Sequence, residues 1–161
     1  MGILDDTDRS VLFDLTELFD YLRGELVEEL GPAAWYSSYS VIITIALDGI
    51  FHGNHTGSRL QLANRLHNKM MMSWEASERI SKQTFRILKR VVGIKSQSEI
   101  ERNPCEYRYN SQTQCIMVTP VRLLNKQTLS RAQLEDIERR LYHRHYISED
   151  LLDEYYRQRR F

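Results

Sequence analysis

Residues 80–92 read ISKQTFRILKRVV, and their charged members share one side of a helix. Arg79, Lys82, Gln83, Arg86, Lys89 and Arg90 fall mostly opposite Ile80, Phe85, Leu88, Val91 and Val92, which recur at helical spacing and call for a core. Long cationic side chains reach phosphate oxygens, and Gln or Arg can pair with base edges in a major groove. The chemistry on offer is therefore the holding and reading of a duplex. A solvated surface helix fits the same pattern, since Lys and Arg are ordinary on exposed faces.

Charge along the rest of the chain favours the first of these. The chain of 161 residues carries no net charge, but residues 1–30 hold nine Asp/Glu against two Lys/Arg, and residues 59–95 hold nine Lys/Arg against two Glu. The middle suits a polyanion; the acidic start keeps away from it, competes with it, or binds a protein partner. Overall neutrality argues against indiscriminate coating of nucleic acid.

Other chemistries find little purchase. His52 and His55, and His143 and His145, have no matched second pair at metal-finger spacing, so no metal site and no cofactor are expected. No GxSxG, HExxH or phosphate-cradling glycine loop occurs, and the acidic residues spread along helix faces, which points away from an enzyme. Cys105 and Cys115 are too few for a disulfide framework; they read as ordinary thiols, with a redox bridge across a hairpin as the lesser alternative. No apolar run reaches the ~18 to 20 residues that span a bilayer, and the start MGILDD lacks a secretory pattern, so a cytoplasmic protein without a membrane partner is expected.

The elements that would position the basic stripe follow in order. Residues 8–30 are expected as one helix opened by Asp8 and ended by Gly31-Pro32. Val11, Leu15, Leu18 and Leu22 on it space like a short zipper seam, either packed on their own domain or serving as a dimer arm. Residues 32–39 read as a linker or as the first turns of a second helix. Residues 40–51 (SVIITIALDGIF) form a buried core helix, and HGNHTGS a loop. Residues 59–70 form a helix with Leu60, Leu62, Ala63, Leu66 and Met70 inward. The basic helix takes Ser77 or Ser81 as cap and Gly93 as stop. Residues 105–120 alternate like a two-stranded hairpin around Asn110-Ser111-Gln112. Ser130 and Gln133 spell a capping box ahead of Leu134, Ile137 and Leu141, and a last helix runs from Glu149 to about Arg159.

Helix, helix, basic helix and hairpin is the element order of a winged helix-turn-helix. LQLANRLHN followed by ISKQTFRILKRVVGI resembles the scaffold and recognition helices of bacterial winged-helix regulators of the MarR and PadR kinds. The resemblance covers residues 40–120 and implies a fold that is mainly α with a small β-hairpin. A winged helix-turn-helix core (residues 32–120) would be flanked by an N-terminal helix (1–31) and C-terminal helices (121–161), and one or other flank would join two copies. It implies a dimeric, sequence-specific double-stranded DNA-binding regulator of transcription. Lys82, Gln83, Thr84 and Arg86 would lie nearest the bases, with Lys89 and Arg90 towards phosphates and Arg108, Asn110 and Gln112 on the wing. The runner-up is a non-enzymatic assembly factor whose basic helix meets an acidic protein surface, or the chain's own acidic N-terminal helix.

Overall fold

The computed structural model describes residues 10–121, 123 and 130–158. The chain divides into two units, Met1–Val121 and Arg122–Phe161, each compact by itself.

The first unit opens with a departure from the expected helix. Val11–Asp14 is a strand, β1, of the β-branched and aromatic residues that suit a pleated surface. It pairs antiparallel with β3 (Cys115–Pro120), Val11 opposite Val118 and Phe13 opposite Ile116. Pairing with a segment about a hundred residues away overrides the local helical spacing. Phe13 turns into the core and Leu12 turns out. The expected cap Asp8 lies outside the described residues; Asp14 makes the turn instead. Its carboxylate accepts from the Thr16 hydroxyl (2.6 Å) and backbone N–H (2.8 Å), and these bonds hold its carboxyl below the ordinary range.

Helix α1 (Thr16–Leu30) sends Leu18, Leu22 and Leu26 fully into the core, joined by Leu15 just ahead of it. The zipper-like seam is spent within the chain, so pairing through it would require α1 to leave its place. Gly31, at φ 89°, links α1 to α2 through a conformation that only glycine adopts readily, and Pro32 opens α2 at its first position.

Helix α2 (Pro32–His52) takes residues 32–39 as its first turns, the second of the two expected readings, and runs on through the core stretch 40–51. Its length and composition would suffice to cross a bilayer. Here it is the axis of the unit, with Ile42, Ile43, Ala46, Leu47 and Ile50 at most 1% exposed. A Cβ on Gly49 would stand 2.5 Å from Ser58 Cβ and 3.1 Å from the Phe85 ring, so the missing side chain lets α3 and α4 close onto α2. Asn54 caps α3 (His55–Asn68) through the Gly57 N–H at 2.9 Å. Then come α4 (Trp74–Val92), the short α5 (Gln97–Arg102), and β2 (Cys105–Asn110).

The sheet order is β1-β3-β2, antiparallel throughout. The described residues thus form a mainly helical fold with a small three-stranded sheet, where two strands were expected. Cys105 lies opposite Pro120 while Cys115 lies opposite Asn110, at the other end of the hairpin. Five residue steps along the strand separate the two levels, about 17 Å, so no bridge forms between these free thiols.

His55, 7% exposed, carries the unit's clearest pH dependence. Its Nε2 meets the Ile50 carbonyl at 2.9 Å, while its buried Nδ1 has no partner among the described residues. Burial lowers its pKa from the ordinary 6.5; the Ile50 carbonyl opposes this, Lys89 adds to it, and Glu101 opposes it. The unfolded chain then binds a proton that the folded chain refuses. The contribution of His55 to stability is whole well above pH 6.5 and is lost as pH falls through that value towards its lowered folded pKa. Urea unfolding at a series of pH values is expected to show this fall, and His55→Gln to flatten it. Equal acid sensitivity of the two proteins would contradict the assignment.

In the second unit, α6 (Arg131–Tyr142) carries the expected capping box: Ser130 Oγ accepts from Gln133 N–H at 3.2 Å, and Gln133 Oε1 accepts from Ser130 N–H at 2.8 Å. Of the expected inner stripe, Ile137 is buried, Leu134 half-buried and Leu141 exposed. Helix α7 (Glu149–Gln158) follows, and Tyr155 donates to Glu138 at 3.3 Å. The expected end at Arg159 lies outside the described residues.

Candidate nucleic-acid interface

Helix α4 begins at Trp74, several residues ahead of the basic stretch. Ser73 is its cap, accepting from the Ala76 N–H at 3.1 Å. Ser77 and Ser81, the expected caps, are fully buried on its inner face, where Ser81 donates to the Arg59 carbonyl at 2.5 Å. Gly93, left-handed at φ 74°, ends the helix as expected. The connection spans residues 69–73, where Met71 turns at φ 59°, and the stretch from Trp74 to Ile80 adds helical turns ahead of the basic face. As a result, residues 82–84 sit in the middle of the helix. Glu75 occupies the first turn and Glu78 the next.

The outward face of α4 sorts the expected residues into three groups. Arg79 and Arg90 are engaged by α1: Arg79 reaches Glu25 at 3.1 Å and Glu29 at 3.6 Å, and Arg90 reaches Glu17 at 2.5 Å. The pairs join the start of one helix to the end of the other, so an acidic ladder lies antiparallel beside the basic one. The hydrogen bond that Arg79 donates to Glu25, and the charge of Glu25, raise the Arg79 pKa.

Lys82 and Arg86 form the second group, exposed along the ridge. Lys82 pairs with Glu78 at 3.2 Å on its own helix, and Arg86 makes no ion pair with the described residues. Lys89 stands half-buried one turn beyond Arg86, its pKa lowered by burial and then by the nearby Arg59 guanidinium. Gln83 is half-buried beside them.

Thr84 stands apart. It is fully buried and donates its hydroxyl to the Ile80 carbonyl at 2.7 Å, which removes it from any surface a duplex could touch. The resemblance to a recognition helix placed it near the bases; in the folded unit it belongs to the buried side of α4.

No protein family, curated protein or solved structure matches the chain.

The expected wing residues sit on and between the hairpin strands β2 and β3. Alternation along β2 points Cys105, Tyr107 and Tyr109 towards the helices and Glu106, Arg108 and Asn110 away. Arg108 stands opposite Met117 on the outer face of the sheet. Asn110 is committed to the turn, its Oδ1 accepting from the N–H groups of Gln112 (3.0 Å) and Thr113 (3.2 Å). Gln112 is exposed at the tip, where Ser111 and Gln114 border a hollow of about 250 Å³ with Phe19, Trp35, Tyr36 and Tyr39. That hollow belongs to α1 and α2.

Arg59 was not among the expected site residues. It lies half-buried beside Lys89, a juxtaposition across two helices that spacing within one helix cannot reveal. The histidines give no metal cluster among the described residues. His52 stacks on Tyr107 and bridges carboxylates instead, with Nε2 3.1 Å from Glu106 and Nδ1 3.8 Å from Asp48. Tyr107 donates to Asp48, and burial, that bond and the neighbouring carboxylates push its phenol above its ordinary range.

Proposed function

We propose that this chain binds double-stranded DNA through the ridge of α4, with Lys82, Arg86 and Lys89 directed to the duplex and Arg59 beside them. The reading rests on the exposed cations of the ridge: Lys82 pairs only within its own helix, Arg86 makes no ion pair with the described residues, and half-buried Lys89 and Arg59 stand beside them. Lys82 to Lys89 spans about 10 Å of helix, enough to face more than one phosphate. Helices α2, α3 and α4 followed by β2 and β3 keep the order of a winged helix-turn-helix, and under this reading α4 is the groove helix of a transcription regulator. Because α4 starts early, Arg86 rather than a first-turn residue carries base reading. With the α1 seam buried, pairing of two copies falls to the C-terminal helices.

A second reading has its own support. The ion pairs of Arg79 and Arg90 with Glu17, Glu25 and Glu29 are what an assembly factor would show if its basic helix were made to meet carboxylates. Titration of the protein onto a random duplex at about 50 and 200 mM salt separates the two. A DNA binder making about four phosphate contacts loses affinity on the order of a hundredfold across that range. Absence of duplex binding at the lower salt sinks the first reading.

A further inference from the structure

Residues 139–146 read RRLYHRHY, with three arginines, two histidines, two tyrosines and no acid. They close α6 and the turn after it. Arg144, left-handed at φ 57°, folds the chain back so that the His145 N–H meets the Arg140 carbonyl at 2.9 Å. The ring centres of His143 and His145 then lie 5.9 Å apart. With Arg139, Arg140 and Asp136 they line a hollow of about 340 Å³. Asp136 is the single acid of that lining, and both arginines pair with it, Arg140 at 3.0 Å. Cations at a helix C-terminus are ordinary, since they complement the helix dipole. Tyrosines left in water there are not explained that way: Tyr142 is 84% and Tyr146 86% exposed.

We infer that this segment binds single-stranded nucleic acid, its phosphates in the hollow and its bases on the two tyrosines. A strand without a complement offers unstacked base faces, and aromatic side chains beside a cationic groove take them with little regard to sequence. A duplex keeps its bases stacked inside, where Tyr142 and Tyr146 cannot reach. The site lies wholly in the second unit and does not depend on the α4 ridge.

The test is fluorescence anisotropy of the full chain with a labelled oligothymidylate of about fifteen nucleotides, beside the duplex titration. Tyr142→Ala with Tyr146→Ala should weaken single-strand binding at least about tenfold, leave duplex binding unchanged, and be rescued by Phe at both positions. Arg139→Ala with Arg140→Ala should weaken it as well and reduce the logarithmic salt slope by about 1.4. The Lys82→Ala, Arg86→Ala protein should keep its single-strand affinity, which makes failure at this site distinguishable from failure of the α4 reading. Wild type that ignores the oligonucleotide at low salt, or a tyrosine double variant that binds it like wild type, overturns the inference.

Discussion

Alanine at both Lys82 and Arg86 is expected to lower affinity for duplex DNA about a hundredfold at low salt and to make the salt dependence shallower by about one phosphate contact, that of Lys82. Both side chains are exposed on the outer ridge of α4 and neither supports the core, so the far-UV spectrum and melting temperature should stay near wild type. The two single variants should differ in kind. Lys82→Ala should weaken all duplexes alike, whereas Arg86→Ala should also blur the preference at one base pair. Equal, sequence-blind losses for both would remove Arg86 from base reading and leave it on a phosphate.

Glutamine at Glu17, Glu25 and Glu29 together is expected to tighten duplex binding by on the order of tenfold at low salt, with the gain shrinking as salt screens the field. These carboxylates stand beside Arg79 and Arg90 and hold both cations away from solvent anions. Removing their charge frees two arginines and takes away repulsion of the approaching phosphates. Helix α1 keeps its place in the variant, since Leu18, Leu22 and Leu26 hold it and the surface pairs do not. Anisotropy on the same duplex checks the gain. Unchanged affinity would mean that the acidic ladder does not compete with DNA. The start of the chain, from β1 through α1, would then serve the core alone.

What was legible in the sequence was local. The α4 stripe announces a helix because Ile80, Phe85, Leu88 and Val92 repeat within it, and the Ser130 and Gln133 box announces the start of α6 within four residues. The strands at 105–120 show through their own alternation. Features settled by distant partners were not legible. Residues 11–14 carry helix-compatible spacing and become a strand only because β3 offers an edge. Thr84 and Arg86 are two residues apart in one polar-looking run; the packing of other helices buries the first and exposes the second. Arg59 beside Lys89, and Glu17 beside Arg90, are meetings of different helices. The candidate site is therefore half legible: the cations are in the sequence, but which of them remain available to a ligand is decided by α1 and α3.

Mapping backbone amide shifts on adding duplex DNA to the labelled full chain tests the central claim most directly, because it reports where the duplex lies without altering the surface. Shifts should concentrate on the outward positions of residues 78–90 and on Arg59, spread weakly to Glu17 and Glu25, and spare Arg108 on the outer face of the sheet. A duplex that moves Arg108 and its neighbours while leaving Lys82, Arg86 and Lys89 unmoved would contradict it.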